Sequence, residues 1–82
     1  MAVKSEKKPI HIGSAIKEEL NRQGRTTVWL AEQLCCHRTN LYNIYEKRSI
    51  DTGVLLRICR IMHYDFFKLF SSVLDEEKSV AD

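Results

Sequence analysis

Apolar residues recur at helical spacing in five short segments of this chain, and no segment shows the sustained alternation typical of a strand. The first predicted helix runs from about Ile12 to Gln23, with Ile16 and Leu20 on the same stripe as Ile12. Gly24 follows it as a stop signal. The other four are predicted over about 27–34, 38–46, 52–63 and after Asp65. Links of about two to six residues join them, so the pattern predicts an all-α domain.

The second and third predicted helices lie within the segment from Thr27 to Glu46 and are joined by a short link, Cys35-Cys36-His37. So short a link forces a sharp bend between the helices. Thr26 is predicted to cap the second helix, and Ala31 supplies a small side chain where two steeply crossing helices come closest. The outer face of the third helix stays free to enter a major groove. The wedge between the two helices would be filled by Leu30, Leu34, Cys36, Leu41 and Ile44.

This spacing resembles the helix-turn-helix of the Cro/CI-type, or XRE, family of transcriptional regulators. The resemblance covers about residues 12–70, because further matching positions lie in the first helix and in the fourth and fifth. It implies a compact five-helix lambda-repressor-like domain over residues 10–74, and a DNA-binding repressor as its function. The additional matching positions are Ile12, Gly13, Ile16, Leu20, Gly24, Leu55, Cys59, Met62, Tyr64 and Leu69.

Four positions depart from the pattern of that family. The turn residue, commonly glycine, is Cys35, and a positive φ there would cost about 1 kcal/mol of strain. Lys47 replaces the glycine often found after the third helix, and Tyr45 replaces a glutamate common near the end of that helix, with Glu46 one place later. Thr27 opens the second helix, where phage repressors often have glutamine. These changes bear on which bases are read rather than on the fold.

By this resemblance the base-reading positions lie at the start and on the outer face of the third helix. Arg38 can donate two hydrogen bonds to guanine, Asn43 can pair with adenine, and the methyl group of Thr39 can touch a thymine methyl. His37 and Tyr42 can reach a phosphate or a base edge. The alternative interpretation is an ordinary solvated helix face.

Three further residues are predicted to bind phosphates: Thr27 at the start of the second helix, and Lys47 and Arg48 after the third. The alternative for the lysine and arginine is a solvated basic loop. Residues 1–9 are predicted to form a flexible basic arm, which either tracks a neighbouring groove through its lysines or is a disordered tail. Residues 75–82 are predicted to form a frayed acidic tail.

Length and charge fit this interpretation. The 82 residues allow one small domain with a net charge of +2. Residues 1–50 carry nine Lys/Arg and five Asp/Glu, a net of +4, whereas residues 51–82 carry four and six, a net of −2. The basic excess therefore lies in the half that holds the bihelix, as phosphate binding requires.

The three cysteines, an odd number without a signal peptide, predict reduced thiols in a cytoplasm. The family resemblance further implies a nucleoid-associated protein of bacterial, phage or plasmid origin. No apolar run is long enough to span a membrane. Cys35, Cys36 and His37 are consecutive and lack the spacers of zinc ligands, so neither a metal nor a cofactor is expected. A redox role for the thiol of Cys35 is the alternative.

Two aromatic residues raise the question of partners. Trp29 either packs on the flank of the domain or contacts a second subunit. Phe67 is predicted to face away from the neighbours of Leu69 and to join a dimer surface. The alternative is that Phe67 belongs to the core. The expected partners are double-stranded DNA and a second copy of the chain. The alternative function is a protein-interaction module, such as the antitoxin of a toxin–antitoxin pair.

An enzyme is not expected, because the sequence lacks every common catalytic arrangement. Its serines lie in no nucleophile elbow, its three histidines lie in separate elements, and its three glycines form no phosphate-binding loop.

Overall fold

A computed structural model describes the backbone of residues 10–81 and the side chains of residues 10–76. Within this range the chain forms five α-helices and no strand. The predicted all-α five-helix domain is thereby confirmed, while the predicted basic arm lies outside the described residues. The helices are α1 (Ile12–Arg22), α2 (Thr27–Leu34), α3 (Arg38–Tyr45), α4 (Thr52–Met62) and α5 (Phe67–Ala81).

The helix ends follow local sequence signals. The hydroxyl of Thr26 accepts a 3.0 Å hydrogen bond from the amide of Trp29, as predicted for the cap of α2. The carboxylate of Asp51 accepts from the amide of Val54 at 3.2 Å and caps α4 in the same way. Gly24, with φ +73°, follows α1 in the left-handed region that glycine adopts without strain.

The turn between α2 and α3 places Cys35 in a left-handed backbone conformation, which strains any residue other than glycine. Cys35 has φ 58° and ψ 44°, which is left-handed backbone. The amide of Cys35 donates to the carbonyl oxygen of Glu32 at 3.1 Å, and the amide of Cys36 donates to the carbonyl oxygen of Ala31 at 3.0 Å. The positive φ considered from the sequence is therefore present, although the residue is not glycine.

The core is built from the inner faces of the first four helices and from Phe66, which precedes α5. Cys36, Ile44 and Cys59 are half-buried and pack against this core. The core is therefore formed by the apolar stripes that the sequence predicts for these helices. The buried apolar side chains are Ile12, Ile16, Leu20, Leu30, Ala31, Leu34, Leu41, Tyr45, Leu55, Ile58, Met62 and Phe66.

The start of α1 is tied to the segment that follows α3. The amides of Ile12 and Gly13 donate to the carbonyl oxygens of Arg48 and Lys47 at 3.0 and 2.9 Å. Gly13 also lies so close to the end of α3 that a Cβ atom there would overlap the carbonyl oxygen of Ile44. Glycine at this position is therefore required by the close approach of two backbones.

The last helix follows Asp65 as predicted but extends further toward the C-terminus than predicted. It begins at Phe67, whose amide donates to the carboxylate of Asp65 at 3.0 Å. The preceding Phe66 is fully buried and donates its amide to the sulfur of Cys59 at 3.4 Å. The sequence predicts a frayed tail from Asp75, whereas the backbone stays helical to Ala81. The residues there include glutamate, lysine and alanine, with no glycine or proline to end a helix.

Candidate nucleic-acid interface

Helix α3 has one buried face and one exposed face. Leu41 is fully buried and Ile44 is half-buried against the core. The opposite side starts at the cap of the helix, where His37 makes no capping hydrogen bond with its side chain. All five predicted base-reading residues are exposed on this side or at its start, namely His37, Arg38, Thr39, Tyr42 and Asn43.

These side chains are available to a ligand. Within the described part of the chain, no hydrogen bond or ion pair engages the side chains of Arg38, Thr39 or Asn43. Tyr42 is 52% exposed, and its ring contacts the edge of the Tyr45 ring at 6.2 Å between centroids. The five predicted residues therefore offer one guanidinium, one amide, two hydroxyls and one imidazole, which suit the edges of base pairs.

Thr27, predicted as a phosphate ligand, already has an internal partner. Its hydroxyl lies 2.8 Å from the hydroxyl of Tyr45, and it joins the first residue of α2 to the last residue of α3. Burial raises the pKa of Tyr45 above its usual range, although the hydrogen bond to Thr27 opposes the shift. The phenol is therefore protonated at neutral pH. The sequence pattern places Tyr45 beside the apolar face and carries no signal for this pair.

Lys47 and Arg48 are exposed directly after α3. Their carbonyl oxygens accept the hydrogen bonds from the start of α1, which hold the backbone of this loop. Their side chains have no carboxylate partner within the described residues. The structure thus places two free cations beside the exposed face of α3, on a loop that α1 supports.

A further cation, which was not predicted from the sequence, lies near the same helix. The ammonium of Lys17 on α1 lies 5.8 Å from the centroid of the Tyr45 ring. In the sequence, Lys17 is simply a polar position on the flank of α1, and many solvated lysines occupy such positions. Tertiary packing of α1 against α3 is what brings this charge to the end of α3.

The two candidate partner residues are both packed on the domain. Trp29 is half-buried against the core, and the guanidinium of Arg25 lies 4.2 Å from its ring centroid. Phe67 also packs against the core, whereas Phe70 is 37% and Leu74 is 61% exposed. The apolar side chains of α5 that face outward are therefore those of Phe70 and Leu74, whereas that of Phe67 faces the core. An open apolar groove of about 280 Å³ lies between α5, Ile12 and the start of α4.

The cysteines are three free thiols, of which that of Cys35 is exposed. Among the described residues, no group of three or more His, Cys, Asp or Glu side chains is arranged to hold a metal ion. In the same part of the chain, no helix has both the length and the apolar character that crossing a membrane requires.

Comparison with protein-family models, curated proteins and solved structures found no match for this chain. The family resemblance seen in its sequence therefore stays a prediction. The function must be argued from α3, its exposed face and the cations around it.

Proposed function

We propose that this chain is a sequence-specific DNA-binding protein of the Cro/CI type with a lambda-repressor-like fold, and that it acts as a transcriptional repressor. The observation that carries the proposal is the exposed face of α3. The side chains of Arg38, Thr39 and Asn43 have no hydrogen-bond or ion-pair partner among the described residues, whereas Leu41 is buried in the core. A helix supported in this way can enter the major groove while its internal packing stays intact.

Each side chain on this face has a distinct role in the proposal. Arg38 donates two hydrogen bonds to O6 and N7 of guanine, and Asn43 pairs with N6 and N7 of adenine. Thr39 offers a methyl group to thymine. His37 and Tyr42 reach a phosphate or a base edge from the two sides of Arg38.

Phosphate contacts set the register of α3 in the groove. Lys47 and Arg48 bind phosphates beyond the end of the helix, and Thr27 binds one at the start of α2. Such contacts add affinity without reading sequence. Because one short helix reads few base pairs, we expect two copies to bind half-sites about 34 Å apart. The protein would act in the cytoplasm on the nucleoid, without cofactor or catalysis.

The test is selection of duplexes from a random library near physiological salt, for wild type, Arg38→Ala and Arg60→Ala. Arg60 is also exposed but lies on α4, so its removal is a matched loss of one charge. Wild type and Arg60→Ala should enrich one motif, which Arg38→Ala relaxes at a guanine with a loss of about 1–3 kcal/mol. Enrichment of no motif by wild type would refute sequence-specific binding.

A second function, a protein-interaction module such as an antitoxin, is supported by the apolar groove. The groove and the exposed ring of Phe70 offer an apolar surface without any role in DNA binding. Purification from the native source would then yield a stoichiometric partner without DNA. The variant Phe70→Glu should lose that partner, whereas Arg38→Ala should keep it.

A further inference from the structure

Lys17, Thr27 and Tyr45 form a small polar cluster where α1, the start of α2 and the end of α3 meet. The two hydroxyl oxygens are 2.8 Å apart, and the ammonium of Lys17 lies over the tyrosine ring at 5.8 Å from its centroid. Tyr45 is 9% exposed and Thr27 is half-buried, so the cluster lies at the rim of the core.

The direction of the hydrogen bond between the hydroxyls follows from their surroundings. Each hydroxyl has one hydrogen, so only one of the two groups donates within the pair. If Thr27 donated, the hydrogen of the buried Tyr45 would need a second acceptor, and none is present among the described residues. A buried donor without an acceptor is costly. Tyr45 is the more buried of the two residues, so the arrangement with the lower cost has Tyr45 as the donor and leaves the hydrogen of Thr27 for an acceptor outside the protein.

The positive charge over the ring of Tyr45 indicates which kind of acceptor the site suits. Lys17 is exposed and has no carboxylate partner within the described residues, so its positive charge is not neutralised. Lys47 lies two residues beyond Tyr45 and is also exposed. A group that accepts a hydrogen bond and carries a negative charge satisfies both requirements, and a phosphodiester oxygen is such a group.

We infer that Lys17, Thr27 and Tyr45 form one binding site for a backbone phosphate of duplex DNA, in which Tyr45 is a positioning residue that directs the hydroxyl of Thr27 outward. This inference rests on the proposed DNA-binding function. It adds Lys17 to the phosphate contacts and assigns Tyr45 an indirect role, since the hydroxyl of Tyr45 touches Thr27 rather than DNA.

The experiment measures the affinity of the full chain for its selected duplex and for an unrelated duplex, over a range of salt concentrations. Tyr45→Phe should weaken binding to both duplexes by about three- to tenfold, the size of one hydrogen bond, with unchanged sequence preference. Thr27→Val should do the same, and the double variant should bind no more weakly than Thr27→Val alone, because both changes remove the same interaction. Thr27→Ser should bind like wild type.

Lys17→Met tests the charge of the site. It should reduce the slope of log K against log salt concentration by about 0.9, the value for one phosphate contact, whereas Tyr45→Phe should leave this slope unchanged. Tyr64→Phe removes an exposed hydroxyl elsewhere and should bind like wild type. Circular dichroism confirms that each variant is folded at the temperature of the assay. Wild-type affinity of Tyr45→Phe, or independent losses in the double variant, would overturn the site.

Failure of the site and failure of the proposed function give different results. If wild type selects no motif but Tyr45→Phe still weakens all duplexes equally, sequence-specific recognition fails and the phosphate site stands. If wild type binds no duplex, the phosphate site is tested by titrating the protein with inorganic phosphate and following the amide resonance of Thr27. A saturable shift of the Thr27 amide resonance that Lys17→Met abolishes supports the site, and its absence overturns the site as well.

Discussion

The amide of Gly13 donates a 2.9 Å hydrogen bond to the carbonyl oxygen of Lys47, and so connects the start of α1 to the residue pair that follows α3. This contact is possible because glycine lets the two backbones approach without a side chain between them. The loop that carries Lys47 and Arg48 is therefore positioned by α1. Under the proposed function, such support would hold Lys47 and Arg48 in place relative to α3.

Gly13→Ala should destabilise the protein. The added methyl group would overlap backbone carbonyl oxygens of Ile44 and Tyr45, which cannot rotate away as a side chain can. Overpacking of this kind costs about 1–3 kcal/mol or more, and the measurement is urea unfolding.

The matched control is Gly53→Ala in α4. There the added methyl group would meet the carboxylate oxygen of Asp51 that caps α4, which as the end of a side chain can shift slightly while it keeps its hydrogen bond to Val54. We expect a change of less than about 1 kcal/mol, because alanine also favours a helix more than glycine does. Equal stability of Gly13→Ala and wild type would contradict the close approach of α1 and α3.

Cys35→Gly should stabilise the protein by up to about 1 kcal/mol, because glycine adopts the left-handed backbone at φ 58° without the penalty of a side chain. Cys35→Ala keeps that penalty and serves as the control. His63→Gly, at φ 53°, should behave like Cys35→Gly. Thermal unfolding of the four proteins is the measurement, and a glycine variant less stable than Cys35→Ala would refute the strained turn.

The buried carboxylate of Glu19 should make stability depend on pH. Its side chain accepts 2.8 Å hydrogen bonds from the guanidinium of Arg22 and the amide of Gln23, and Gln23 also donates to the carbonyl oxygen of Met62 at 3.0 Å. The hydrogen bond from Arg22 is the main cause that lowers the pKa of Glu19 below 4.5, against the opposing effect of burial.

Since the folded protein binds this proton less readily than the unfolded chain, the contribution of Glu19 is present above pH 4.5 and is lost as the pH falls through its folded pKa. Urea unfolding at several pH values should therefore show a shallower decline in stability below pH 4.5 for Glu19→Gln than for wild type. Glu18→Gln removes an exposed neighbouring carboxylate and is the control. An identical pH profile for Glu19→Gln and wild type would disprove the coupling.

Lys47→Gln and Arg48→Gln should each reduce the salt dependence of DNA binding. Removal of one phosphate ligand lowers the slope of log K against log salt concentration by about 0.9. The selected motif should remain the same, because phosphate contacts carry no sequence information directly. Fluorescence anisotropy at several salt concentrations is the measurement, with Lys68→Gln on α5 as an exposed control. A changed motif would mean that the loop reads bases.

Much of the fold could be predicted from short-range patterns. The bounds of α2 follow from the cap at Thr26 and from the apolar positions Leu30 and Leu34, because capping and helical periodicity are local properties of the chain. The exposure of Thr39 and Asn43 follows in the same way, because both lie on the face of α3 opposite the buried Leu41. The continuation of α5 past Asp75 was missed, since a polar segment carries no apolar stripe to mark it.

Contacts between distant residues could not be inferred from such patterns. Tyr45 and Thr27 are 18 residues apart, and Lys17 belongs to yet another helix, so their meeting depends on how three helices pack. The close approach at Gly13 has the same origin. Periodicity identifies the face of a helix that is buried, which is enough to define the five helices and the polar face of α3. Which side chains then meet at the rim of the core is a result of packing, because that depends on the relative placement of whole helices.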